Sequence, residues 1–274
     1  MPKVSRALFR NPATVLSLSF ILILLCLAVF GPMVYGVDPF GLSMEVAEGP
    51  SRLHLLGTDD LGRDVLAGMI EGIKISLFVG FSAALAATFL GIVVGAVAGY
   101  VGGWFDLIVM RIAEFFQVMP SFILAVLIVA MIGPGLTRIV LVIAVLSWPQ
   151  TARFARAEVL RISQFDFVNA ARCLGISSWR ILFTDVLPNA VGPALAVSTL
   201  IMAQAILLEA SLSFLGLSSP DIISWGRMLS AGQNYLETAW WLSVFPGLAI
   251  LLTVLAFNLL GDALADIMNP RHAN

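Results

Sequence analysis

Five stretches of this chain hold no Asp, Glu, Lys or Arg: residues 11–37, 75–105, 115–137, 186–208 and 238–261. Each exceeds the roughly 20 residues that cross a bilayer's hydrocarbon at about 1.5 Å per residue. A sixth run, 139–152, is shorter. It reaches spanning length if Arg153 and Arg156 extend to the interface on their aliphatic stems. No water is available in hydrocarbon, so spanning backbone must pair within helices or a closed barrel. The runs are continuously apolar rather than alternating, which selects helices. The expected fold is therefore all-α, a polytopic membrane bundle of about six helices. Their expected extents are 13–35, 73–100, 106–131, 137–158, 189–215 and 240–263.

Composition removes several other classes. Hydrophobic residues make up 59% of the 274 and charged ones 12%, more apolar surface than a soluble core of this length needs. No basic stripe with interleaved aromatics is present, so nucleic acid is not an expected partner. His54 and His272 are the only histidines, too few and too separated for a metal site or a nucleophile–base set. A membrane-embedded enzyme therefore has no support. A channel or secondary transporter would carry inverted repeats or a chain of intramembrane ionisable groups, and neither is visible. Cys26 lies in the first span and Cys173 in a polar segment, so two free thiols are expected. The basic start, with Lys3, Arg6 and Arg10, precedes an apolar run too long for a signal peptide, so the first span is expected to stay uncleaved.

Charge also sets an orientation. Lys3, Arg6 and Arg10, then Arg153, Arg156, Arg161, Arg172 and Arg180, then Arg271 fall on one side of a six-span chain, nine of the fifteen basic residues. The positive-inside rule places that side, with both termini, in the cytoplasm. The opposite side receives the acidic segment 36–72, while Arg138 and Arg227 go against the trend. In the second span Gly91 and Gly95 form a G-x-x-x-G pair among many small residues, a pattern that lets helices approach closely.

One segment is too polar for lipid and too patterned for a linker. Asp166 is expected to cap a helix starting at Phe167. Gly175 suits a positive-φ C-terminal cap. Ser177 is expected to cap a second short helix, and Pro188 to discourage that helix from continuing through its own position. Trp179, Ile181, Leu182 and Phe183 need a cover, either the bundle or another protein. The same signature fits an amphipathic helix lying on the membrane, and periodicity does not separate the two.

Spacing supplies a resemblance. The segment reads Asn169-Ala170-Ala171, three residues, Gly175, nine residues, Asp185-Val186-Leu187-Pro188. It resembles the cytoplasmic loop by which ABC importer permeases grip their ATPase, where the pattern is Glu-Ala-Ala, three residues, Gly, nine residues, Ile-x-Leu-Pro. Asn169 and Asp185 depart from it. A second stretch, Leu55-Leu-Gly57-Thr-Asp59-Asp60-Leu-Gly62-Arg63-Asp64, resembles the opening of the dipeptide, oligopeptide and nickel importer permeases, specifically their shorter C-type subunit. Glu209-Ala-Ser-Leu-Ser213-Phe-Leu-Gly216-Leu and Ser224-Trp225-Gly226 extend the likeness from about residue 54 to the C-terminus.

This resemblance implies a type I ABC importer permease fold. Its domains would be an anchor helix plus extracytoplasmic loop over 1–72, a permease domain over 73–266 with a coupling loop near 160–188, and a short cytoplasmic tail over 267–274. The chain would be a multi-pass subunit of a bacterial inner membrane, forming half of a pore and performing no catalysis. Its implied partners are a paralogous permease, two ATPase subunits, an extracytoplasmic binding protein and the lipid bilayer. No G-x-x-x-x-G-K-[ST] loop is present, so ATP and Mg are expected on the partner ATPases and no cofactor on this chain. Short peptides are the expected cargo, with nickel chelates, opines or oligosaccharides as alternatives. The expected coupling residues are Asp166, Asn169, Ala170, Ala171, Gly175, Trp179, Arg180, Leu187 and Pro188. Candidates for binding-protein docking are Gly57, Asp59, Asp60, Gly62, Arg63 and Asp64, although a capped turn before a short surface helix, with Asp59 or Asp60 as the cap, explains them as well. Among intramembrane groups, Arg111 and Glu114 can pair locally at i,i+3. Glu209 is either a cavity or helix-coupling residue or a satisfied interhelical hydrogen bond. Met119 and Pro120 are expected to break the third span, with a simple kink as the alternative.

Overall fold

The computed structural model describes residues 12–268, the side chains of Leu195 and Met268 excepted. Lys3, Arg6 and Arg10, and Arg271 and His272 of the tail, lie outside the described residues. All regular elements described are helical. Helix α1 is Pro12–Tyr35, α2 is Val65–Val101, α3 is Gly103–Val118, α4 is Ser121–Ile132 and α5 is Leu136–Ile162. Then come α6, Asp166–Cys173, α7, Ser178–Ile181, and a wide turn Leu182–Val186 that leads into α8, Leu187–Phe214. Short α9, Trp225–Gly232, and α10, Trp241–Met268, complete the chain.

Four of these helices contain segments long and apolar enough to cross a membrane: Pro12–Tyr35, Val65–Val101, Ala196–Phe214 and Trp241–Ile267. Helices α3 and α4 pass the same test only as a pair, bent by 91° where they meet. Of the expected break and the simple kink, the chain therefore has the break. Pro120 has no N–H to continue the helix, and Met119 before it is extended, at ψ 138°. Helix α5 has the length of a sixth span at 27 residues. Its apolar middle is flanked by Arg138 at one end and Arg153, Arg156, Glu158 and Arg161 at the other.

The helix that carries the second span begins at Val65, ahead of the expected span start at residue 73. Glu71 and Lys74 pair at 2.6 Å and the helix runs through them. Asp64 starts it, with its side chain accepting from Ala67 N–H at 2.8 Å. At 37 residues and about 1.5 Å per residue, α2 is much longer than a bilayer is thick. Its first turns therefore stand outside the hydrocarbon.

Helix α2 is the axis of the bundle. It packs along α5 on one side and α8 on another, α10 closes against α8, and α1 packs against α10 and α2. The α2–α5 contact is parallel and uses backbone. Gly91 faces Trp148 and Thr151, Gly95 faces Ala152, and Gly99 faces Arg156. Side chains from α2, α8, α9, α10 and α1 meet in a core around Trp225, Ile206, Ile73 and Phe257. A second core joins α2, α4, α5 and α8 through Val79, Val129, Ile143 and Leu212.

A methyl group at Gly95 would overlap the Ala152 backbone, which no rotamer change relieves. Gly95→Ala is expected to cost at least about 1–3 kcal/mol and Gly95→Leu to prevent stable folding. Gly247→Ala, whose added carbon would meet only Leu229 at 3.9 Å, should be neutral. Thermal unfolding of the purified variants in one detergent checks this order.

Candidate functional site

The polar segment between α5 and α8 folds as a knob at one end of the bundle. Helix α6 starts at Asp166 itself, so Asp166 is a first-turn residue rather than a cap. Phe165 holds the capping position and offers only its carbonyl, to Val168 N–H at 3.0 Å and Asn169 N–H at 3.1 Å. The acidic side chain still suits the positive end of the helix dipole. At the other end the expectation holds. Gly175 has φ +74°, its N–H bonds Arg172 O at 3.0 Å, and Ile176 N–H bonds Ala171 O at 3.2 Å. This crossed pair closes the helix with a left-handed residue.

Ser177 precedes α7 but makes no side-chain cap. Pro188 does not stop the helical path either. The chain widens over Leu182–Val186, Leu187 N–H reaches back to Leu182 O, and α8 starts with Pro188 in its first turn. A proline there is tolerated because its missing N–H would be unpaired anyway. Asn189 Nδ2 donates to Asp185 O at 2.6 Å, helping to satisfy a carbonyl beside the wide turn.

The knob has two faces. Its inner face, Val168, Ile181, Leu182 and Val186, is buried against Ala96 of α2, Val159 and Ile162 of α5 and Ala190 of α8. Arg172 lies over the Tyr100 ring at 5.9 Å, tying α6 to the end of α2. The outer face is open. Leu174 is 80% exposed, and Phe167, Trp179 and Phe183 are about half exposed. Trp179 and Phe183 stack with centroids 6.2 Å apart. Asn169, Ala170 and Arg180 are exposed beside them, and Ala171 and Leu187 are partly covered.

The residues 57–64 sit at the opposite end and form a closed turn. Asp59 Oδ1 accepts from Leu61 N–H at 2.9 Å and Arg63 N–H at 2.7 Å. Burial pushes the Asp59 carboxyl above the usual carboxylate range, and these two bonds oppose the shift. The cap expected of Asp59 or Asp60 belongs instead to Asp64, and the helix it caps is α2. Asp64 is 4% exposed. Its Oδ2 accepts from Tyr35 OH at 2.9 Å and meets His54 Nδ1 at 2.8 Å. Trp241 Nε1 donates to Thr58 O at 3.2 Å, which ties the turn to α10. Gly57 and Gly62 are buried, while Asp60 and Arg63 are partly open.

The intramembrane charges do not converge. Arg111 and Glu114 pair at 2.9 Å on an exposed face of α3. They line an open cleft of about 390 Å³ with Asp106, Arg153 and Arg156. Arg156 grips Asp106 with two bonds, of 2.5 and 2.6 Å. Glu209 is 1% exposed in α8. Ser213 Oγ donates to it at 2.6 Å, and the Ser76 and Ser224 hydroxyls are its other neighbours. Neutral polar residues that the reading for charges passed over, Gln117, Gln150 and Gln204 among them, line another cleft. Their signal was polar residues three or four apart inside otherwise apolar spans.

Comparisons with known proteins agree along the chain. Residues 91–274 match the family described as binding-protein-dependent transport system inner membrane component. Residues 3–49 match the N-terminal TM domain of oligopeptide transport permease C. The chain is 39% identical over 273 residues to the di/tripeptide transport system permease protein DppC of Pseudomonas aeruginosa, covering 97% of this chain and 90% of that one. It is 37% identical over 269 residues to the glutathione transport system permease protein GsiD of Pectobacterium atrosepticum, covering 97% and 89%. Among solved structures, a chain of the MetNI methionine ABC transporter superposes with TM-score 0.59 at 18% identity, covering 73% of this chain and 95% of that one. That likeness is one of fold.

Asp64 joins a helix cap to two side-chain bonds at a buried site. Asp64→Ala is expected to cost about 2–4 kcal/mol, and Asp64→Asn, which keeps a capping oxygen, clearly less. Unfolding of both variants in detergent distinguishes them, and equal stability of all three proteins would refute the clamp.

Proposed function

Because the chain belongs to the family of binding-protein-dependent transport system inner membrane components, we propose that it is a permease subunit of an ATP-driven importer of short peptides, with the 163–187 knob as its ATPase dock. The observation that carries this is the two-faced knob. A segment that only rested on lipid would not need its inner face locked to three different helices. Here Val168, Ile181 and Leu182 are buried while Leu174, Trp179 and Phe183 stand open. Together with Ala170 and the left-handed turn at Gly175, the open face suits a groove on a soluble partner.

The mechanism follows from the attachment. The knob packs on the ends of α2, α5 and α8 and continues into α8 without a loop. Displacing it moves those three helices together, so closure of two ATPase subunits would rock this half of the pore against a paralogous permease. Such coupling requires that the ATPase bind one permease arrangement better than the other. The chain has no phosphate-binding loop of its own, so ATP and Mg act on the partner.

The positive-inside rule supports a cytoplasmic knob, with the 57–64 turn and the 215–240 connection on the outer side. The molecule then sits in a bacterial inner membrane with both termini inside. An extracytoplasmic binding protein would meet the open parts of the outer surface, Asp60, Leu61 and Arg63, while Gly57, Gly62 and Asp64 hold the turn in shape. The names of the relatives support peptide cargo.

Gly175→Val puts a β-branched side chain at φ +74°, a strain of order 1–3 kcal/mol that turns α6 against α7. The expected result is at least about tenfold weaker recovery of the ATPase, equivalent to ~1.4 kcal/mol of docking, with a parallel fall in peptide uptake. Co-purification with the native neighbours and radiolabelled dipeptide uptake measure both. Unchanged values for both would refute the docking role.

A further inference from the structure

One concave surface is used by neither the knob nor the outer clamp. The end of α3, the break at Met119 and Pro120, and the middles of α5 and α8 surround a cleft of about 490 Å³. Its polar lining is Gln117, Ser121, Ser147, Gln150, Gln204 and Ser211. The cleft sits at mid-depth. Phe116 at its edge meets Trp148, halfway along α5, with ring centroids 6.2 Å apart.

Two independent features show that lipid cannot be what fills it. First, three amide side chains facing hydrocarbon would have no partner for their donors and acceptors. Second, the chain at Met119, Pro120 and Ser121 is exposed and non-helical at the break, and α4 begins with no side-chain cap. Broken backbone at this depth is tolerated only against protein or a water-filled cavity.

The cleft continues toward the knob end. Along α3 the sequence Met110, Glu114, Gln117 steps by three or four residues, keeping one face. Along α5 Ala157, Arg153, Gln150 and Ser147 do the same. The neutral cleft and the charged cleft of Asp106, Arg111, Glu114 and Arg156 therefore form one strip, and they join where Arg153 Nη1 donates to Gln117 Oε1.

The geometry points to this strip as the cargo-contacting wall of the pore, with Gln117, Gln150 and Gln204 recognising the amide groups of the solute rather than its charge. The inference rests on the importer reading above. A glutamine side chain carries both a donor and an acceptor, as a peptide group does. No Asp, Glu, Lys or Arg lines the mid-depth cleft. A solute's side-chain charge thus meets no fixed partner there, and peptides of differing sequence can bind weakly enough to leave. Fixed charge gathers only at the inner mouth, where Arg153 holds Gln117 at the boundary.

The test uses the complete importer in proteoliposomes, with Cys26→Ser as background and the labelling of the exposed Cys173 measured in that background and subtracted. Ser147→Cys and Ser211→Cys should react with a water-soluble methanethiosulfonate, and saturating dipeptide with binding protein should slow that reaction. Leu25→Cys, on the lipid-covered α1, should stay unreactive. Ser147→Cys and Ser211→Cys no more reactive than Leu25→Cys would overturn the wall. In the same system Gln150→Leu and Gln204→Leu should lower uptake of a neutral and a lysine-containing dipeptide by the same factor, at least about tenfold in uptake per KM, with ATPase recovery unchanged. A loss confined to the charged dipeptide, or no loss at all, would overturn amide recognition. A background complex with no ATPase and no uptake would instead overturn the importer reading, and this inference with it.

Discussion

The parallel contact of α2 with α5 is what the rest of the molecule is built on. Membrane helices gain little by hiding apolar side chains from apolar lipid, so their association depends on how closely backbones approach. Gly91, Gly95 and Gly99 put one face of α2 directly on the backbone of α5 from Trp148 to Arg156. This contact runs from mid-depth to the knob end. The knob's buried residues then sit across the two helix ends at Ala96, Val159 and Ile162. A loose α2–α5 pair would leave the knob without a fixed base.

The two ends of the bundle are held by different forces. At the end that carries the 57–64 turn polar bonds dominate. Asp64 gathers Tyr35, His54 and the start of α2, and Trp241 bonds the turn from α10. At the knob end burial dominates, with one ring–cation contact from Arg172 to Tyr100. Directional bonds suit a turn that must keep one shape. The apolar seat spreads the knob's contacts over three helices.

The membrane's interior imposes the third constraint. Polar groups at depth must be covered, paired or wetted. Glu209 meets this only in part: Ser213 donates to one carboxylate oxygen, and the other is buried without a partner. Arg111, Glu114, Asp106 and Arg156 meet it by pairing. The glutamines of the mid-depth cleft are left with only water or solute to satisfy most of their bonding capacity, and the break at Pro120 lies beside them.

The class of the protein was legible from long uncharged runs, because hydrocarbon thickness and backbone pairing allow a chain few responses to them. The knob was legible too, since a positive-φ glycine at fixed spacing from a polar helix is a local requirement, and Gly175 meets it as read. Local reasoning failed where bonding partners come from elsewhere. Asp64 looked like one of several acidic turn residues, yet Tyr35 and Ala67 make it the cap of α2. Pro188 looked like a stop, but a widened turn carried the helix past it. The 91° break and the cleft beside it were invisible as a site, because Gln117, Gln150 and Gln204 lie far apart in sequence. Only packing of α3, α5 and α8 brings those three amides to one depth, and that depends on which helix faces touch, which periodicity within a single span does not specify.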